Sequence, residues 1–175
     1  MILGLDVSSS VIGVTILNED GVMLLNEAIK LQNEKIIVAK ASKVKKFLEQ
    51  TIKGKFNVKE VFIEESLLAF RPTASSAHTI SLLAKMNGIV TWLCYDVLGI
   101  RATQISANTA RKLCGIKKVQ GQNTKLIVLK SVLDMEPSFS VSYTKQNNPV
   151  VGAFDRADSY VIAKAGYIQC MKQKK

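Results

Sequence analysis

The sequence predicts an α/β fold: a five-stranded mixed sheet, three antiparallel strands and then parallel ones, flanked by helices on both faces. Two observations carry this expectation. Strand-like runs at 2–7, 11–17 and 22–30 follow one another across short turns, so they pair as antiparallel neighbours. Later apolar runs at 59–65 and 100–105 are separated by segments of helical period, so they join the sheet in parallel through crossovers. A first strand that serves both sets lies at the centre, with the C-terminal end of the fourth strand beside its own.

The elements follow in order. ILGLDV and VIGVTIL are rich in Leu and β-branched residues, and NEDG at 18–21 turns the chain into VMLLNEAIK. Val38, Ala41, Val44, Leu48 and Ile52 recur at helical spacing, with Lys40, Lys43 and Lys46 outside that stripe, which predicts one amphipathic helix. KEVFIEE at 59–65 is a short strand ending in acids, and LLAFRPTASS, with its proline and small polar residues, is a loop leading into a helix.

The long helix runs to about Leu98. Its Ile80, Leu82, Leu83, Met86, Ile89, Val90, Leu93, Cys94 and Val97 fall within an arc of about 180°, wider than the ~100° stripe of a helix packed on one surface. Two neighbours are expected for it, and Trp92 is read as part of its packing. Gly99 closes this helix, IRATQI is the fifth strand, and Ser106 caps a helix over ANTARKLC that Gly115 ends. A basic loop, IKKVQGQNTK, precedes the helix LIVLKSVL, and a turn-rich stretch precedes a last helix beginning near Phe154.

The length, 175 residues, suits a single domain spanning 1–175, and 47% apolar with 22% charged residues is an ordinary globular composition. Lys and Arg number 24 against 14 Asp and Glu, a formal charge of +10 that attracts polyanions, nucleic acid foremost. Cys94, Cys114 and Cys170 are isolated and odd in number, which argues against a disulfide framework or a zinc site and fits a reducing compartment. No run of about 18 or more apolar residues occurs, so a membrane-spanning helix is not expected.

Asp6 interrupts an otherwise apolar strand, where a charge removed from water is costly unless paired. The predicted topology brings it beside the acid of FIEES, Glu64 or Glu65. In FDRADSYVIAKAG, Asp155 and Asp158 are i and i+3 on one helix face, roughly 5–6 Å apart at Cβ. Carboxylates gathered in this way repel, and a divalent cation relieves the repulsion. An all-oxygen set suits Mg²⁺ or Mn²⁺, and two such ions about 3.5–4 Å apart support phosphodiester hydrolysis. In a basic chain, the arrangement predicts a metal-dependent nuclease. Lys117, Lys118 and Lys125 form a cluster suited to phosphate contacts.

ILGLDVSSSVIGVTIL, VFIEES and FDRADSYVIAKA, in that order and at those distances, resemble the RuvC family of Holliday junction resolvases within the ribonuclease H-like superfamily. The resemblance covers essentially the whole chain. It implies a ribonuclease H-like fold and a homodimer formed through the long helix at residues 76–98. It also implies two Mg²⁺ or Mn²⁺ ions per site and symmetric cutting of a four-way DNA junction to leave 5′-phosphate ends, in the cytoplasm of a bacterial cell or a phage-infected host. Residue by residue, it matches Asp6, Glu64, Asp155 and Asp158 to the family's acids, with Glu65 secondary. Lys125 resembles a lysine that approaches the cleaved phosphate, and Arg111 or Lys112 lies near another.

Two departures stand out. Leu67 occupies the position of an aromatic junction wedge, with Phe70 and Arg71 following three and four residues later, where they are placed to stack on and clamp unpaired bases. VSSS replaces the proline and glycine that many members carry in the first motif. His78, the only histidine, is expected to be exposed early on the long helix.

Three other readings compete. The first hairpin also resembles the phosphate-binding hairpin of sugar kinases and actin-like proteins, but those need two such domains. A non-catalytic binder of branched DNA would share the basic surface without needing converging acids. A debranching nuclease acting on forks, flaps and three-way junctions would keep the site and broaden the substrate.

Overall fold

The computed structural model describes residues 1–66 and 77–173. Within them, β1 (Ile2–Val7), β2 (Val11–Leu17), β3 (Met23–Lys30), β4 (Glu60–Glu64) and β5 (Ala102–Ile105) form one sheet in the order β3-β2-β1-β4-β5. β1 pairs antiparallel with β2, and β2 with β3, while β1 pairs parallel with β4, and β4 with β5. This is the expected mixed sheet with β1 at its centre. The helices are α1 (Ile37–Phe47), α2 (Ala77–Leu98), α3 (Ala107–Leu113), α4 (Thr124–Met135) and α5 (Ala153–Gln173). Among the described residues, none of them is long and apolar enough to cross a membrane.

Strand alternation divides the core in two. Leu3 and Leu5 of β1, Ile12, Val14 and Ile16 of β2, and Val61 and Ile63 of β4 join Val44, Leu48, Met86, Val90 and Leu93 on the α1 and α2 side. The intervening residues, among them Ile2, Leu17 and Phe62, pack with Ala157, Tyr160, Val161, Ile162 and Ala163 of α5 and with residues of α3 and α4.

On that second side α5 lies unusually close to the strands. A Cβ at Gly4 would overlap the backbone of Ala163, one at Gly13 would run into the Asp155 carbonyl, and one at Gly166 would strike the Phe62 ring. Glycine inside a strand ordinarily weakens it. Here Gly4 and Gly13 admit a helix backbone that any side chain would hold away.

The caps follow the sequence: Ser106 Oγ accepts from the Thr109 N–H at 3.2 Å, and Gly99 and Gly115 end their helices at φ 73°. α1 needs a correction, because Lys40 is buried and Val38 is 67% exposed. Lys40 lies one turn from Val44 on the side facing the sheet, and its ammonium donates to the Ser9 carbonyl in the β1–β2 turn, so a buried cation there has a partner. The helix continues through a π-helical turn, Leu48–Ile52, that keeps Leu48 and Ile52 buried. Trp92 also departs from expectation. The buried row of α2 runs through Met86, Val90, Leu93, Cys94 and Val97, and Trp92 lies off it, 57% exposed.

Candidate active site

The β1–β4 register places Leu5 opposite Ile63, so the next residues, Asp6 and Glu64, emerge side by side at the C-terminal edge of the sheet. Alternation from Gly4 and Phe62 puts both on the α5 side. On its other flank Asp6 pairs with Gly13. Gly13 is the residue on which the first turn of α5 rests, against the Asp155 carbonyl. One absent side chain therefore sets the distance between a strand acid and a helix acid. Asp158 follows on the same helix face.

A polar network, buried at its Thr15–Ser159 end, fixes that first turn. Asn26 Nδ2 donates to Thr15 Oγ1 at 2.7 Å and to the Arg156 carbonyl at 3.0 Å, and Arg156 Nε donates back to Asn26 Oδ1 at 2.7 Å. Ser159 Oγ donates to the Arg156 carbonyl at 2.9 Å, which leaves Thr15 to donate to Ser159 across their 2.8 Å contact. Arg156, between Asp155 and Asp158 in sequence, thus ties the helix to β2 and β3.

The four acids are half-buried at the sheet edge, and all four hold protons more tightly than usual. Burial raises Asp6 well above the ordinary carboxylate range, and the charges of Glu64, Asp158 and Asp155 add to it against Lys125. Burial and then Asp158 push Glu64 up to about 7, opposed by Arg111, by a hydrogen bond from Asp6 and by Lys125. Burial likewise raises Asp155, against a backbone hydrogen bond and Lys125, and raises Asp158, against Arg111 and Lys125, with Asp155 adding to the rise.

As the side chains stand, no three His, Cys, Asp or Glu among the described residues enclose a metal-binding point. Asp6 is hydrogen-bonded to Glu64, and Asp158 Oδ1 lies 3.7 Å from Arg111 Nη2, so three of the four acids are turned to one another or to a cation. The donor set itself fits a hard divalent ion: oxygen only, enclosed, and carrying repulsion that a bound cation relieves. Asp6, Glu64, Asp155 and Asp158 are the residues that would hold it.

Among the basic candidates, Lys125 acts on all four acids. It stands at the start of α4 rather than in a loop. Its N–H is capped by Asn123 Oδ1 at 2.9 Å, and its ammonium is 6.0 Å from the Phe154 ring centroid. Arg111 faces the acids, whereas Lys112 is exposed. Lys112, Lys117 and Lys118 line, with Asn108 and Arg111, a hollow of about 250 Å³ beside the site. Glu65 and His78 are exposed. Leu67, Phe70 and Arg71 lie outside the described residues.

Sequence reasoning missed Gly13 and the Thr15–Asn26–Arg156–Ser159 network, which seat the first turn of α5, and the burial of Lys40 and Asn87. Two signals were readable. Gly4 and Gly13 interrupt strands at positions that share a face, and Asn87 is an amide within the apolar arc of the long helix.

No protein-family model matches the sequence, and no curated protein matches it. Solved structures do. RuvC of T. thermophilus in complex with a Holliday junction substrate superposes with a TM-score of 0.62 at 13% identity, over 97% of this chain and 94% of that one. A second Thermus thermophilus RuvC structure gives 0.62 at 15% identity, over 98% and 96%. The yeast mitochondrial Holliday junction resolvase Ydc2 gives 0.63 at 15% identity, over 99% and 80%. The chain therefore has the ribonuclease H-like fold in the form taken by RuvC-type junction resolvases.

Proposed function

We propose that this protein is a divalent-metal-dependent endonuclease that resolves four-way DNA junctions. The observation that carries the reading is the meeting of Asp6, Glu64, Asp155 and Asp158 at one edge of the sheet beside Lys125 and Arg111. Glu64, Asp155 and Asp158 each raise the proton affinity of at least one other acid, which for groups meant to stay ionised is a cost without a cation to offset it. The structural likeness to proteins named as junction resolvases supports the choice of substrate.

In this reading the acids bind Mg²⁺ or Mn²⁺, which supplies an activated water and neutralises charge at the scissile phosphate. The chain's own contributions are positional. Gly13 and the Thr15–Asn26–Arg156–Ser159 network fix the helix acids against Asp6. Lys125 and Arg111 stand where a phosphate oxygen would meet positive charge, and the hollow lined by Lys112, Lys117 and Lys118 holds a neighbouring stretch of backbone. Phe70 and Arg71 remain candidates to engage bases at the crossover.

Symmetric cutting needs two sites, and α2 offers the surface for a second copy. Trp92 and Tyr95 are 57% and 55% exposed, beside a shallow groove lined by Ile37, Ala84, Lys85, Gly88 and Ile89. The test is cleavage of end-labelled four-way, three-way, fork and linear duplexes with Mg²⁺, with both product strands mapped. Paired, ligatable nicks confined to the four-way form are expected. Equal cutting of forks and three-way junctions would replace resolution with general debranching.

A further inference from the structure

α2 lies against the side of the sheet opposite α5, and its buried residues should be apolar. Asn87 is the exception, 4% exposed beside Met86 and Val90. An amide buried there is costly unless hydrogen bonds replace those it made with water. Its Nδ2 donates at 2.7 Å to the backbone carbonyl of Glu64, and its Oδ1 lies 3.5 Å from Gln104 Nε2 of β5.

The carbonyl it holds is at a vulnerable place. The β1–β4 pairing ends at Leu5 and Ile63, so the Glu64 carbonyl lies past the last rung on that side. On the other side of the same peptide, the Glu65 N–H donates to the Ile105 carbonyl at 3.0 Å. The peptide that follows Glu64 is therefore gripped at both ends, by β5 through its N–H and by α2 through its C=O. Fixing that peptide fixes the Cα–Cβ direction of Glu64, and with it the aim of a carboxyl that has several rotatable bonds.

We propose that Asn87 is a positioning residue for the candidate active site: acting from the far side of the sheet, its side-chain amide clamps the Glu64 peptide and thereby directs the Glu64 carboxyl toward Asp6. The inference rests on the reading of these acids as the metal-binding, catalytic set. It differs from a packing role because the contact is a single directed hydrogen bond to a backbone atom adjoining the acid. It also links the acid to the helix whose outer side carries Trp92 and Tyr95.

The test compares the full chain with Asn87→Leu, which keeps the bulk and removes the donor, and with Asn87→Ala in case the leucine disturbs the fold. Three readouts are taken. Amide hydrogen exchange at Glu65 is expected to rise by at least about 10-fold while exchange at Val14 and Ile16 stays at the wild-type rate. Mn²⁺ affinity without DNA, from titration calorimetry, is expected to weaken by about 10-fold, the usual size of a loss that acts through a ligand's support. Junction cleavage is expected to lose kcat with KM retained.

Wild-type exchange at Glu65 together with wild-type Mn²⁺ affinity overturns the proposal, whatever happens to activity. A wild-type chain that binds Mn²⁺ but cuts no junction defeats the nuclease reading alone, and the exchange and affinity readouts still decide the role of Asn87.

Discussion

The two sides of the central sheet are built on opposite plans. On the α1 and α2 side, Leu3, Leu5, Ile12, Val14, Ile16, Val61 and Ile63 present branched side chains that meet a helix layer rich in the same kind of residue. On the α5 side, the same strands present Gly4, Asp6, Gly13 and Thr15, and the helix answers with Ala157, Ser159, Ala163 and Gly166. Large residues hold the first helix layer off and exclude water. Small ones let α5 approach until short aspartate side chains reach across from helix to strand. The comparison teaches that close approach, more than the acids alone, makes a site here.

The largest expected effect comes from the acids. Asp155→Asn should lower junction cleavage by at least about 10³-fold while leaving junction binding intact, because the amide keeps the shape and removes a metal-binding charge. Cleavage within tenfold of wild type, measured by single-turnover gel assay, would show that the helix acid is not part of the chemistry.

The comparison of the two sides is sharpened by one substitution on each. Gly13→Ala pushes a methyl into the Asp155 carbonyl and should cost about 1–3 kcal/mol of stability. Because it shifts the α5 acids, it should also cost about 10²-fold in rate. Ile16→Val on the other side should cost about 0.5–1.5 kcal/mol and leave the rate of folded protein within about twofold. Denaturant melts with parallel cleavage rates separate the two, and equal losses of rate would remove the distinction between the sides.

Acidity supplies the next test. Glu64 titrates at about 7, above its ordinary value of 4.5, and the other three acids are raised in the same direction. A raised acid favours the folded state while protonated. Its contribution is full below the unfolded pKa and is lost as pH rises through the folded one. Without divalent ions, Tm should fall as pH increases from about 4.5 to 7. Mg²⁺ competes with those protons, so it should raise Tm more at pH 8 than at pH 5.5. A metal effect equal at both values would uncouple the acids from ion binding.

The smallest effects belong to the exposed cations. Lys117→Ala and Lys118→Ala should each reduce the slope of log binding constant against log salt by about one, without changing substrate preference. Fluorescence anisotropy across a salt series reads this directly, and an unchanged slope would take the hollow beside α3 out of the DNA path.

Much of this architecture was legible in the sequence, for identifiable reasons. Turn lengths dictated which strands pair antiparallel, and parallel pairing of the first and fourth strands brought Asp6 beside Glu64 or Glu65; the observed register, Leu5 opposite Ile63, selects Glu64 because alternation separates adjacent residues by a face. Side-chain identity at close quarters was harder. A helix residue turns 100° per step, so Arg111 and Lys112 could be told apart only once α3 had a fixed rotation. Lys40 reads as a surface charge until the Ser9 carbonyl is seen opposite it. Trp92 reads as packing because a large aromatic on an apolar helix favours burial, yet it lies outside the arc of the helix's other apolar residues and is exposed. The pairing of Asp158 with Arg111 depends on α3 and α5 meeting, a contact between distant segments that no local pattern encodes.

The central claim is that the four acids form one ion-binding centre, and crystals soaked in Mn²⁺ test it most directly through anomalous scattering. The account predicts manganese peaks contacted by Asp6 together with Glu64 and at least one of Asp155 and Asp158, with Arg111 displaced from Asp158. Acids that keep their pairing with each other and with Arg111 at saturating Mn²⁺, with no peak between them, would contradict it.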